Sequence, residues 1–322
     1  MADLYDCCNL CPRNCGVNRS KGEIGICGEP AGLRIGSAVI HKGEEPPLVG
    51  WGGSGTIFIS GCSLGCSFCQ NYQVSQDGMG RIVLPDEFAG ICAALKSTGA
   101  ENINIVTGSH SVPAIIEGFI AARKAGINIP ALWNSSGYDS ITALELLSEY
   151  IDIYLPDLKT LDSEVSGRYF NAPDYPDIAM AAILKMCAIK NNKSKVIIRH
   201  LILPGYLDST LSVLRWFADN IKDKAMLSLM TQYTPIPNRF SKSGEKLPMP
   251  SRYLSNEDYE TVLHWIKKLG IEDGFCQELV TGSDWLPDFT RVNPFPSELS
   301  VPVWHYSCGN NITLPAKPDA DS

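Results

Sequence analysis

The sequence predicts an α/β fold of parallel strands with helices packed outside them, and three observations carry that prediction. Short apolar runs, many of them β-branched, recur at 56–60, 102–106, 131–135, 151–155, 196–201 and 226–230. Longer amphipathic stretches lie between them, at 85–97, 112–125, 140–149, 178–190 and 209–220. Strand and helix then alternate about six times, and a strand that returns through a helix comes back parallel to its predecessor. Such a repeat suits a barrel, whole or partial, or a doubly wound open sheet. Alternation alone does not choose between them.

The flanks read differently. A last helix is expected at 256–268, followed by a short strand at 275–279. Beyond residue 280 the chain is Pro-rich (WLPDF, NPFPSE, SVPVWHY, LPAKPD) and has no period. It reads as an extended tail wrapped over the barrel, with its last residues disordered. The first fifty residues are rich in Cys and Gly and poor in helical pattern, a module with too small a core to hold itself together unaided. The expected organisation is a Cys-rich metal-binding module over 1–50, a barrel over 51–280 and a Pro-rich extension over 281–322, with no internal repeats.

Composition narrows the function classes. Hydrophobic residues at 44% and charged residues at 19% describe a globular chain. A net charge of -8 argues against a general affinity for phosphate backbones, so no nucleic-acid partner is expected. No run approaches the ~20 apolar residues that span a bilayer, and the polar, acidic start does not resemble a secretory leader. The expected setting is therefore cytoplasmic, with no membrane partner, where thiols stay reduced. There, twelve cysteines suggest metal rather than disulfides. Eight of them fall within the first 69 residues, whereas a disulfide framework would spread its bridges through the fold.

The sharpest motif is GCSLGCSFCQN, which places Cys62, Cys66 and Cys69 on one loop directly after the first strand. Three thiolates at this spacing point into one small volume. A [4Fe-4S] cube held by three cysteines keeps one iron without a protein ligand, and that iron can chelate the amino and carboxylate groups of S-adenosylmethionine (SAM). Gly61 and Gly65 let the backbone curl around the cube. Structural zinc, the alternative, wants four ligands, usually in two separated pairs.

With this loop the sequence resembles the radical SAM superfamily, and the resemblance implies a partial (β/α)6 barrel of TIM type with Phe68 packed near the adenine. Further stretches (NINIVTGSH, WNSSGY, IYLPDLK, IIRHLILPG, LMTQYTP) are similar to the branch related to pyruvate formate-lyase activating enzyme, and within it to a PflX-like group. That likeness runs from about Cys7 to Leu279. It implies that Asn134, Ser135 and Asp157 bind a monovalent cation beside SAM, and that Lys159 and Arg199 lie near the SAM carboxylate and methionine moiety. These polar groups follow apolar runs, as catalytic groups do at the strand ends of a barrel. The Gly-Gly-Glu run that grips the SAM amine in the activating enzymes is missing between Cys69 and Asn102. The second strand ends VTGSH instead, leaving Thr107, Ser109 or His110 to take that part. The PflX-like group would carry Pro-Thr-His there.

The N-terminal cysteines form a second group. Cys8, Cys11, Cys15 and Cys27 make a four-thiol set whose CxxC knuckle and GxCG-like turn resemble zinc-ribbon chemistry, and the set could equally hold a second iron–sulfur cluster. Of the scattered cysteines, Cys92 and Cys187 read as core, Cys276 as facing the barrel, and Cys308 as a candidate cap on its mouth. The expected activity is reductive cleavage of SAM and hydrogen-atom abstraction by the 5'-deoxyadenosyl radical, with a one-electron donor such as flavodoxin or ferredoxin. The substrate is then a glycyl radical enzyme or, alternatively, a peptide or small metabolite. A zinc-stabilised binding protein without chemistry is the remaining alternative.

Overall fold

A computed structural model describes residues 2–312 apart from 191, 193, 194, 237–247, 249 and 284; the end of the Pro-rich tail lies outside the described residues. Six strands run parallel in chain order: β2 (Ser54–Ile59), β4 (Ile103–Val106), β5 (Ala131–Ser135), β6 (Ile153–Pro156), β7 (Ile197–Leu201) and β8 (Met226–Met230). A parallel bridge from Asp157 to Arg199 joins β6 to β7, and a short strand β9 (Gly274–Cys276) continues beyond β8. This is the partial (β/α)6 barrel of TIM type. The helices follow the expected alternation: α3 (Pro85–Ser97), α4 (Val112–Lys124), α5 (Ile141–Leu147), α6 (Ser163–Phe170), α7 (Tyr175–Lys190), α8 (Leu207–Asn220) and α9 (Asn256–Lys268).

Local chemistry sets the helix ends. Pro at the first turn opens α3 and α4, where its missing N–H costs nothing. Ser140 caps α5 and Asp162 caps α6 by accepting backbone N–H groups, and Ser255 and Asp258 form a reciprocal capping box on α9. The cap at Asp162 starts α6, which buries Val165, Ser166, Tyr169 and Phe170 on one face.

Three strands lie outside the sequence expectation. β1 (Leu33–His41) runs antiparallel to β2 and is buried along nearly its whole length. On its far side it pairs antiparallel with β10 (Ser300–His305), with a bulge between Ala38 and Val39. Pro302 is tolerated in β10 because an edge strand has one side free of the ladder. A short β3 (Arg81–Val83) also adds to β1. The sheet therefore crosses both boundaries drawn from sequence, at 50 and at 281: the Cys-rich segment and the tail each contribute a strand to it.

Because β1 is antiparallel to β2, its last residue lies opposite the first residue of β2, His41 against Ser54. The connection that follows, residues 42–53, lies under the N-terminal ends of the parallel strands and closes the barrel floor. It contains one helical turn, α1 (Pro46–Val49), whose Leu48 packs with Leu132, Leu155 and Ile197 inside the barrel. Glu101 accepts the backbone N–H groups of Trp51 and Gly52, and Asn102 donates to the Leu48 carbonyl at 2.7 Å. At Gly52 a Cβ would sit 1.8 Å from the Gly99 oxygen, so only glycine fits.

Candidate functional site

Strand side chains alternate between the two faces of a sheet. On β5, β6 and β7 this puts Asn134, Leu155 and Arg199 on the inner side with Asp157 just beyond β6, while Trp133 and Tyr154 pack outward in the main core. The inner side encloses a cavity of about 630 Å³ that runs from the loop after β2 down to the floor connection. Cys62, Cys66, Cys69 and Phe68 line one end of it; Glu44, Glu45 and Pro46 line the other; Asn134, Ser135, Asp157, Lys159 and Arg199 lie along its wall.

The cysteine loop is held from several sides. Gly61 and Gly65 have φ of +82° and +67°, the left-handed region that favours glycine. Gln76 donates to the Cys66 carbonyl at 2.8 Å, and Ser67 N donates to Tyr169 O at 2.9 Å. Phe68 is buried edge-on among Tyr169, Phe170 and Tyr233, with ring centres 5.6–6.0 Å apart. Arg13 clamps the loop from the N-terminal segment, donating to the carbonyls of Ser63, Phe170 and Asn171. Burial pushes the Cys66 thiol well above its ordinary range, with Cys62 and Cys69 adding to the effect and Lys159 opposing it. The Cys69 thiol is raised by burial as well, against a 3.3 Å contact with Ser75 Oγ.

A charged chain descends from there. Lys159 donates to Asp157 at 2.5 Å; Arg199 donates to the other Asp157 oxygen at 2.9 Å and to Asn134 Oδ1 at 2.7 Å, and lies 3.8 Å from Glu44. Burial alone would raise the Asp157 pKa, but Arg199 and Lys159 outweigh it and hold the carboxyl below its usual value. Tyr175 Oη accepts the Lys159 backbone N–H at 2.9 Å and lies 2.9 Å from the carbonyls of Ser136 and Asp157, which fixes the end of β6.

One sequence expectation needs correction. His110 is not on the cavity wall: its ring bonds the Ser60 carbonyl at 2.8 Å behind the strand, and burial with nearby Arg19 lowers its pKa to about 4. Of the VTGSH residues Val106 and Thr107 line the cavity, and Thr107 has a φ of +65° that is costly for a β-branched residue. Ser109 is turned to Asp139 at 2.6 Å. The oxygens expected to bind a monovalent cation have protein partners in this structure. Asp157 is bracketed by two cations, Asn134 Oδ1 by Arg199, and Ser135 Oγ donates to Asp139 at 2.5 Å. No three His, Cys, Asp or Glu side chains among the described residues converge on a single ion. Cys62, Cys66 and Cys69 share one cavity wall, a donor set that suits an iron–sulfur cluster.

Cys8, Cys11, Cys15 and Cys27 also act on one another, as the Cys11 thiol shows: burial, then Cys27, Cys8 and Cys15, push it up to about 12. They lie off the cavity, against buried Arg19, which donates to the carbonyls of Glu29 and Pro30 and lies over the Tyr5 ring. Cys92 and Cys187 are buried in the core, Cys276 lies at the cavity, and Cys308 sits in the turn after β10, away from the cavity wall.

Glu44, Glu45, Gln70, Trp285 and Phe295 line the cavity without having been singled out in the sequence. The pair in GEEPP precedes a Pro-Pro helix start, a loop signal, but nothing local places it under a barrel. Trp285 and Phe295 belong to the tail, which docks by Phe289 and Phe295 on Phe58 and by Gln73 on Asp288 and the Phe289 N–H.

A three-cysteine loop at one end of a partial parallel barrel, opening on a substrate-sized cavity, defines a class of cofactor-dependent barrel enzymes. The chain belongs to the radical SAM superfamily: the model of that family matches residues 56–217, half of the sequence. Members are enzymes built around a [4Fe-4S] cluster and SAM. An uncharacterised protein of Methanocaldococcus jannaschii, MJ0674, is 29% identical over 277 residues, covering 84% of this chain and 77% of that one. Among solved structures, a radical SAM methyltransferase from Sphaerobacter thermophilus superposes with a TM-score of 0.52 at 16% identity, over 73% of this chain and 67% of that one. The FeFe-hydrogenase maturase HydG of Carboxydothermus hydrogenoformans gives 0.50 at 12% identity, over 68% and 52%. At these identities the likeness is one of fold. Streptococcus suis SuiB bound to S-adenosylmethionine is also similar (TM-score 0.48, 13% identity, 67% of this chain), and the matched part spans about half of that protein's length, 48%. Among the described residues no helix is long and apolar enough to cross a membrane.

Proposed function

We propose that Cys62, Cys66 and Cys69 hold a [4Fe-4S] cluster, that SAM lies against it, and that the chain removes a hydrogen atom from a small molecule or peptide group enclosed in the barrel. Bound there, the cluster and SAM supply one-electron chemistry able to break an unactivated C–H bond. Lys159 neutralises the SAM carboxylate, and Asp157 and Tyr175 hold Lys159 in place. Phe68 flanks the adenine within its aromatic cage, and Thr107 faces the cavity where the missing Gly-Gly-Glu would act on the amine. Phe58, Trp285 and Phe295 exclude water. The observation that carries this reading is the joint placement of three thiols and the Lys159–Asp157–Arg199 chain on one cavity.

The motif resemblance points further, to activation of a glycyl radical enzyme. The tail weighs against it: Trp285, Pro287, Phe295 and Leu299 form part of the wall, so the cavity is shaped for an enclosed substrate rather than for a loop of another protein. Cys8, Cys11, Cys15 and Cys27 hold a second iron–sulfur cluster in this reading. What supports this is their proximity, since Cys8, Cys15 and Cys27 each act on the Cys11 thiol, and four thiols suit a cluster closed by the protein.

Anaerobic reconstitution followed by electron paramagnetic resonance with and without SAM tests the proposal. A reduced-cluster signal that changes on adding SAM, and loses that response in Cys66→Ala while another iron–sulfur signal persists, is expected. Protein that takes up no iron, or whose signal ignores SAM, would sink it.

A further inference from the structure

The cavity floor carries one more carboxylate than the cavity's bases pair with. Among the described residues of the wall, the acids are Glu44, Glu45 and Asp157 and the bases are Lys159 and Arg199, with His41 beside them. Lys159 and Arg199 engage Asp157, and Arg199 also reaches Glu44, which accepts from Asn104 as well. Two cations thus balance two carboxylates, and Glu45 is left over. Its residue is 7% exposed, and its Oε2 is buried with no hydrogen-bond partner. Protonated, the Glu45 carboxyl can share a hydrogen bond with Glu44; ionised, its Oε2 is an acceptor without a donor. The ionised state is costly in a buried setting, and a native protein keeps such an atom where a ligand satisfies it. The same cavity wall carries Phe58, Val106, Leu201 and Met230, apolar side chains that suit an alkyl chain.

We propose that Glu45, with Glu44 beside it, binds a positively charged nitrogen on the substrate, an ammonium or guanidinium group carried at the end of an alkyl chain. This rests on the proposed radical SAM reading and supplies its substrate class. Strands of four to six residues set the floor roughly 15 Å from the thiol end, so an extended chain anchored by its cationic end directs the rest of its carbons toward the three cysteines. The charge match is also a filter: an anionic or neutral chain of the same length would leave the Glu45 oxygen unpaired.

The environment gives the site a pH dependence. Burial, then repulsion from Glu44, raises the Glu45 carboxyl to about 7 against the opposing pull of Arg199. The groups facing it are Glu44 on its own loop, His41 at the end of β1, and Arg199 on β7. Burial lowers His41 to about 4, so it stays neutral near pH 7 and does not compete for the carboxylate. An alkylammonium keeps its charge throughout, so its affinity falls as Glu45 takes up a proton below pH 7.

The experiment is calorimetric titration of the reconstituted full-length protein with n-butylammonium, n-butylguanidinium and, as the uncharged control, n-butanol, at pH 6 and pH 8. A SAM titration of the same sample runs alongside. Expected are binding of one or both cations at least tenfold tighter than butanol, weakening several-fold from pH 8 to pH 6, and loss of the preference in Glu45→Gln. The cation that binds tighter tells an amine from a guanidine substrate. Equal affinity for the cation and butanol, or a cation preference unchanged in Glu45→Gln, overturns the proposal. Because the pH comparison uses the native chain, it stands even where the variant folds poorly: an affinity that rises toward pH 6 also overturns it. SAM binding with no cation binding removes this inference alone, whereas absent SAM binding removes the reading beneath it.

Discussion

The two thiol groups touch through the backbone, Cys62 N donating to Cys27 O at 3.2 Å, yet their surroundings are opposite. Each has one basic side chain nearby. Beside Cys66, half-buried Lys159 is on the cavity wall and already shares Asp157 with Arg199, so it adds charge to a space that a ligand enters. Beside Cys8, whose sulfur it contacts at 3.7 Å, Arg19 is 1% exposed and gives its other hydrogen bonds to main-chain carbonyls, including that of His110, so it ties the N-terminal segment to the end of the barrel. Cysteine count and spacing are similar in the two groups; what differs is whether the neighbouring cation faces a cavity or a carbonyl.

The largest expected effect tests that contrast directly. Lys159→Met should lower SAM affinity tenfold or more, read by equilibrium dialysis, since an unneutralised carboxylate in a partly dry site loses a charge-assisted bond worth about 1.5–3 kcal/mol. Arg19→Met should leave SAM affinity unchanged but reduce stability by about 3 kcal/mol, because buried carbonyls lose their donors. Anaerobic denaturant unfolding measures the second. If Arg19→Met weakens SAM binding and Lys159→Met does not, the assignment of the two groups is reversed.

Much of the barrel was legible because its elements are local. β5, β8, α3 and α9 form from runs whose period and length are visible within a dozen residues, and the cysteine loop announces itself by spacing. β1 and β10 were not legible, for the opposite reason. LRIGSAVIH has the apolar run of a strand, but it sits in a Cys- and Gly-rich stretch, and one of its partners lies far along the chain, as the Ser37 bond to the Trp304 carbonyl across 267 residues shows. The Pro-rich texture around β10 masks it further. Once β1 is missed, the site is incomplete. Only its antiparallel return carries Glu44 and Glu45 beneath the barrel, and no local pattern encodes that position. His110 shows the converse error. A residue just past a strand end is a candidate for the barrel mouth, but the turn from Thr107 to Ser111 directs its ring backward onto Ser60.

A smaller effect separates strain from binding on the cavity side. Thr107 holds a left-handed φ of +65° while its N–H donates to the Asn134 carbonyl at 3.0 Å. Glycine accepts that conformation freely, so Thr107→Gly should stabilise the fold by about 1 kcal/mol, the strain relieved less the entropy glycine adds. The N-terminal group offers a control in Asn14, also at positive φ (45°) but of a type that tolerates it. Asn14→Gly should change stability by about 0.5 kcal/mol or less. Thermal unfolding of both variants, compared with their SAM affinities, shows whether strain is kept at the cavity for a purpose: Thr107→Gly more stable and weaker for SAM is the expected pattern.

The smallest effect is acid sensitivity. Asp157 has a folded-state pKa below its ordinary value of 3.8, because Arg199 and Lys159 outweigh the cost of its burial. A carboxyl lowered on folding contributes stability that is fully present above its unfolded pKa and is lost as pH falls through the folded one. The contribution should therefore be intact at pH 5 and fade below pH 4, where protonation leaves two buried cations sharing a neutral partner. The N-terminal group has no such dependence through Arg19, since the carbonyls it holds do not titrate. Unfolding midpoints between pH 5 and pH 3 for the native chain and for Asp157→Asn should converge as pH falls. Curves that stay parallel would mean that the Lys159–Asp157–Arg199 chain does not stabilise the cavity side through its charge.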